Sequence, residues 1–300
     1  AKWEKVVVSE IYSPPRVTKA AATLRHLNIE PGLALDLTTY DEQGRPWDFS
    51  DERMKEKARQ ILRMQKPELL IGSPMCTEYS SWQRINGKRD MAAHKAKVAK
   101  ARKHMEFVCE LYEEQLQEGR LFLHEHPAQA ASWAEPCIKK VLRYGEVDTI
   151  TMDQCQVGQK TDTGQPIKKP TKWMTNSPEI MKRLNVKCTG KGRLCSNGME
   201  HAQCSGKTAK EAAKYPFELC KRILQGLRDH VDRARGGDHV LHRGCHLSEW
   251  ETYLPLYNMS SGSWWDVLDA TTGQVLKWDL VEQARQIEMK YFEDKCVWEK

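Results

Sequence analysis

Apolar positions in the first 230 residues fall into short strand-like runs separated by longer helix-like periods. "KVVVSEIY" (5–12), "LALDLTT" (33–39), "ELLIGS" (68–73), "RLFLHEHP" (120–127) and "VDTITMDQC" (147–155) are compact aliphatic or β-branched runs and predict strands. Between them, "SPPRVTKAAATLRHL" (13–27) predicts a helix with Ser13 as its cap and Pro14 in its first turn. "DFSDERMKEKARQILRMQ" (48–65) predicts an amphipathic helix with Ser50 at its start and Asp51 and Glu52 in the first turn. A long charged helix is expected from about Met91 to Glu118, and another in "WAEPCIKKVLRY" (133–144). Strands alternating with helices imply an α/β fold, a parallel-rich sheet with helices on both faces. In such sheets ligands gather beyond the carboxyl ends of the strands. Ser13 to Arg16, Asp36, Asp48, Ser73 to Ser80, Glu125 to Pro127 and Gln154 to Gly158 stand at those ends.

After about residue 230 the pattern changes. "RARGGDHVLHRGCH" (233–246) reads as a linker, "SSGSWWDVLDATTGQ" (260–274) as turns, and residues 278–300 as a polar helix. The expected organisation is a catalytic domain over 1–185, a Cys/His segment over 186–207, a closing helix over 208–232 and an extension over 233–300. A hydrophobic content of 40% with 29% charged residues is ordinary for a soluble domain, and no apolar run approaches the ~20 residues of a membrane span. The net charge of +6 is a mild basic bias compatible with nucleic acid. Ten scattered cysteines and no secretory leader favour a reducing compartment with free or metal-bound thiols. The expectation is an intracellular protein, nuclear in a eukaryote. The start at Ala-Lys-Trp suggests a piece cut from a longer chain.

Three stretches carry candidate chemistry: Ser73-Pro74-Met75-Cys76-Thr77-Glu78-Tyr79-Ser80, "FLHEHP" (122–127) and "QCQVGQKTDTGQPIKKPTKWMTN" (154–176). Over roughly residues 5 to 178 they resemble the catalytic domain of cytosine carbon-5 DNA methyltransferases, in the divergent form of phages and retroelement polyproteins. The resemblance implies a Rossmann-like methyltransferase fold and a DNA substrate, single-stranded or with its base flipped from the duplex. That family attacks carbon-6 of cytosine with a cysteine in a Pro-Pro-Cys-Gln-x-x-Ser loop. Cys76 and Ser80 keep the spacing, with Met75 and Thr77 as departures. Glu125 matches the glutamate that hydrogen-bonds the ring and assists its protonation, with His126 in place of asparagine. A thiolate nucleophile calls for a lowered pKa at Cys76.

The family holds S-adenosylmethionine with an acidic-aliphatic-Phe-x-Gly-x-Gly turn. Here that turn reads Glu10-Ile11-Tyr12-Ser13-Pro14-Pro15-Arg16, and prolines have no N–H to donate. By position, the resemblance implies Tyr12, Ser13, Ser73 and Pro74 around the cofactor, Asp36 on its ribose and Asp48 on its adenine. It places Ser80, Lys168, Lys169 and Lys172 on phosphates.

"KCTGKGRLCSNGMEHAQCSG" (187–206) has little apolar content, and Cys188, Cys195, His201 and Cys204 offer a zinc ion four ligands in its place. The last residues, "LVEQARQIEMKYFEDKCVWEK" (280–300), resemble the entry to a Copia-type reverse transcriptase, which fits an origin in a polyprotein whose other parts are possible partners. Two further readings follow from the same residues. One is a nucleic-acid-binding module that has lost catalysis with its cofactor turn; the other is a different thiol-dependent pyrimidine modification, such as hydroxymethylation.

Overall fold

The five apolar runs each contribute a strand to one sheet in the computed structural model, and a sixth strand joins them. The structure describes residues 6–80, 91–234, 256–257, 267–268 and 275–276. Two compact units divide the chain, Ala1–Gly237 and Asp238–Lys300. In the first, strands β1 (Val6–Ile11), β2 (Ile29–Leu35), β3 (Leu69–Gly72), β4 (Leu121–Pro127), β5 (Asp148–Asp153) and β6 (Pro170–Thr175) lie in the order β2-β1-β3-β4-β6-β5. β2, β1, β3 and β4 are mutually parallel, and β6 runs antiparallel between β4 and β5. This is the Rossmann-like α/β class expected from the sequence. The chain leaves β1 for β2 on one side and returns to β3 on the other, so a switch point opens between the ends of β1 and β3.

Side chains alternate between two cores. Leu70, Phe122 and Met174 meet α2 (Glu52–Gln65), α3 (Met91–Gln117) and α4 (Pro136–Val141) on one face. Leu69, Ile71, Leu121, Leu123 and Trp173 meet α1 (Val17–Thr23), α5 (Pro178–Leu184) and α7 (Phe217–Ala234) on the other. The short α6 (Gly206–Glu211) precedes α7.

Three local expectations are corrected. β2 begins at Ile29, because Pro31 and Gly32 do not break it. An edge strand tolerates proline, and at Gly32 a Cβ would collide with the Ser9 hydroxyl of β1. Residues 170–175, where the apolar pattern predicts no strand, form an inner strand between β4 and β5, since Trp173 and Met174 fill opposite cores. Ser13 and Ser50 are not helix caps. α1 starts at Val17 under the Glu10 carboxylate, and Asp51 caps α2 by accepting from the Arg53 N–H.

The second unit shows three short antiparallel strands, β7 (Leu256–Tyr257), β8 (Val267–Leu268) and β9 (Val275–Leu276), in that order. The polar helix expected over 278–300, with its polymerase resemblance, lies outside the described residues. Among the described residues no helix is long and apolar enough to cross a membrane.

Candidate active site and metal centre

Cys76 follows β3 and opens the 3-10 turn Thr77–Tyr79. Its loop is tied to the end of β4 by His126, whose Nε2–H donates to the Pro74 carbonyl at 3.0 Å. Burial lowers the His126 pKa, so the ring is neutral, and Nδ1 accepts from the Ser132 hydroxyl at 2.7 Å. Glu125 projects from the opposite face of β4, in register with Trp173. It is only 8% exposed, and the Lys169 ammonium approaches its Oε1 at 3.5 Å. That oxygen is ion-paired but accepts no hydrogen bond among the described residues, which leaves it able to take a further donor.

The electrostatics at Cys76 reverse the expected direction. Burial foremost, and then the Glu125 charge, push the half-buried thiol above its ordinary pKa, while Lys169 opposes them. The single 3-10 turn after Cys76 supplies no long helix dipole, and the charge of a buried carboxylate acts on the sulfur. Both effects hold Cys76 as a thiol.

A second group adjoins the switch point. The Ser73 N–H donates to the Ile11 carbonyl at 3.2 Å, and its hydroxyl meets Tyr215 Oη at 2.8 Å. The Arg16 guanidinium lies 4.7 Å over the Tyr215 ring, which packs edge-on to Trp173. Burial, followed by the Glu125 charge, raises the Tyr215 hydroxyl well above its usual pKa. Lys169 therefore serves Glu125 rather than standing free for a phosphate. Lys172 lies 5.0 Å from the Trp133 ring, Lys168 is half-buried, and the half-buried Ser80 ends the 3-10 turn.

The β1–α1 turn does not fit S-adenosylmethionine as the sequence assigns it. Glu10 is buried and accepts from the N–H groups of Arg16 and Thr18 and from the hydroxyls of Thr18 and Ser13. Ser13 is fully buried on that carboxylate. Tyr12 takes a left-handed φ of 57°, and its hydroxyl pairs with His104 Nδ1 at 3.0 Å while its ring packs on Phe49. Pro14 and Pro15 add no N–H, so no glycine cradle exists. Asp36 is partly engaged by Thr38, and Asp48 is exposed and accepts from the Ser50 N–H.

Cys155, Cys188, Cys195 and His201 place all four ligand atoms within 4.8 Å of one another. The Cys188–Cys195 sulfurs are 3.8 Å apart, and Cys188 Sγ lies 3.6 Å from His201 Nε2. Tetrahedral bonds of ~2.3 Å to sulfur and ~2.05 Å to nitrogen imply about 3.8 and 3.6 Å for those separations. His201 Nδ1 lies 3.0 Å from the Arg193 carbonyl, so an Nδ1–H donated there leaves Nε2 a free lone pair. The cluster fits a tetrahedral metal ion. Cys204, assigned from spacing, is exposed and outside it; Cys155, from the turn after β5, takes the fourth place.

No protein-family model matches this sequence, and no curated protein matches it. Among solved structures the chain is similar to a methyltransferase of Entamoeba histolytica, EhMeth, at 13% identity and a TM-score of 0.32. The likeness covers 57% of this chain and 52% of that one, so the chain spans about half the length of the structure it matches. The functional argument therefore rests on the site itself.

Sequence reasoning passed over Tyr215 and Cys155. Tyr215 lies in a segment with no motif, and only the fold brings it to Ser73. The signal for Cys155 was its position at a strand end.

Proposed function

We propose that this chain is a nucleic-acid pyrimidine-modifying enzyme of the cytosine carbon-5 methyltransferase type, with DNA as its substrate. The observation that carries the proposal is the buried Glu125 carboxylate, whose Oε1 is ion-paired to Lys169 but accepts no hydrogen bond among the described residues and whose charge acts on the Cys76 thiol. The two groups complement each other. Cys76 Sγ bonds to carbon-6 of the ring, and the carbon-5–carbon-6 electron pair shifts toward carbon-4 as N3 takes up a proton. That proton leaves the thiol, passes to the Glu125 carboxylate and is delivered to N3, so charge and protons balance. Lys169 limits the charge at Glu125, and His126 fixes the loop that aims the sulfur. Carbon-5 is then electron-rich and takes an electrophile; loss of its proton expels the thiol.

In the methyltransferase reading, S-adenosylmethionine would supply a methyl group as that electrophile, though the β1–α1 turn lacks the family's cradle for it. The Cys155, Cys188, Cys195 and His201 set is assigned to structural zinc, whose preference for tetrahedral thiolate and imidazole it matches.

The buried Ser13 and the Pro14-Pro15 pair favour a second reading, a binding module without methyl transfer. Labelled S-adenosylmethionine incubated with protein and DNA containing 5-fluorocytosine separates the two. The enzyme reading expects a covalent, labelled complex absent from Cys76→Ser, and a melting temperature raised by the cofactor. No adduct and no thermal shift would favour the binding module.

A further inference from the structure

We propose that the amino-terminal half of α3 grips the phosphate backbone of a nucleic acid, an inference that rests on the pyrimidine-modifying reading above. Lys95, Lys97, Lys100, Arg102 and Lys103 occur there with no acidic residue between Met91 and Met105. Arg102 pairs with Glu135 at 2.7 Å. Lys95, Lys97, Lys100 and Lys103 are exposed and have no carboxylate within ion-pair distance among the described residues. The acids of the same helix, Glu106, Glu110, Glu113 and Glu114, come later, and three of the four are paired. Glu110 meets Arg59 at 2.8 Å, Glu113 meets Lys140 at 2.8 Å, and Glu114 meets Arg63 at 2.7 Å. One helix thus segregates its charge into an open basic half and a largely neutralised acidic half.

That arrangement works against the free protein. Lys97, Lys100 and Lys103, three residues apart, repel one another, and no acidic side chain of the helix stands among them. A polyanion laid along it removes the conflict. The location suits this role, since α3 packs on the Thr77–Tyr79 turn that follows Cys76. A membrane surface suits it poorly, because an interfacial helix needs an apolar face, and the large apolar residues from Met91 to Lys103 are Met91 and Val98 alone.

The test is the full chain with Lys95, Lys97, Lys100 and Lys103 all changed to glutamine, beside a version with all four changed to arginine. Binding to duplex and single-stranded DNA oligonucleotides is followed against salt, with vesicles rich in phosphatidylserine as a further arm. Each phosphate contact contributes about 0.9 to the duplex salt slope. The glutamine variant is expected to lose roughly 2 to 4 from that slope and at least about tenfold in affinity, with melting temperature unchanged or higher. The arginine variant should bind like the parent. An unchanged slope and affinity overturn the proposal, as does a lowered melting temperature with lost helicity, or vesicle binding as tight as DNA binding. Hydrogen exchange at cytosine carbon-5 on a short single strand at low salt separates the two failures. Loss of the grip leaves that exchange intact, whereas failure of the enzyme reading removes it.

Discussion

At the scale of single residues, burial and then the Glu125 charge hold Cys76 as a thiol. Both raise its pKa, and Lys169 works the other way. Removing a nearby negative charge favours the thiolate, so Glu125→Gln should lower the thiol pKa and speed alkylation of Cys76. Lys169→Met should slow it. Mass-spectrometric timing of iodoacetamide labelling at about pH 8 should show a change of roughly threefold to tenfold in each direction. Equal rates in all three proteins would mean that neither charge reaches the sulfur. Cys76 and Glu125 are legible in the sequence because one follows an apolar run in a recognisable loop and the other lies near the end of such a run. Their electrostatics are not legible there. The partners are distant in sequence, and Lys169 looked like one more phosphate-binding lysine until β6 brought it beside Glu125.

At the scale of elements, the metal centre joins the turn after β5 to the glycine-rich segment beyond α5. The Asp153 carboxylate at the end of β5 accepts from the Cys188 N–H at 2.9 Å, which brings the segment to Cys155. Spacing alone suggested Cys204 because it lies within the same stretch as the other three ligands. The fourth residue of the cluster, Cys155, is supplied across the fold. Elemental analysis should find about one zinc per chain in the parent and in Cys204→Ser. Cys155→Ser should lose most of the metal and melt at a lower temperature, because binding free energy in such a segment is folding free energy. Equal zinc in both variants, or loss only from Cys204→Ser, would contradict the assignment. The strands show the same lesson. β1, β3 and β4 were plain from continuous apolar runs. β6 was hidden by its flanking lysines and Pro170, and the start of β2 by Pro31 and Gly32, because edge position and close packing on Ser9 are tertiary facts.

For the whole molecule, the sheet order collects the unusual groups at one rim. Arg16, Ser73 and Cys76 follow the ends of β1 and β3, Glu125 lies near the end of the adjacent parallel β4, and Lys169 precedes the antiparallel strand beside it. The net charge of +6 says little by itself; the open basic half of α3 next to the Cys76 loop gives it a place. The central claim is that Cys76 adds to a pyrimidine ring with Glu125 managing the proton. Addition makes carbon-5 basic enough to exchange its hydrogen with water even without a methyl donor, so the most direct measurement is tritium release from DNA carrying 5-tritiated cytosine. Wild-type protein should release tritium with no cofactor added, Glu125→Gln should release it at least about a hundredfold more slowly, the lower range for a lost acid–base group, and Cys76→Ser should release none. Failure of the wild-type protein to release tritium, or undiminished release by Cys76→Ser, would contradict the account.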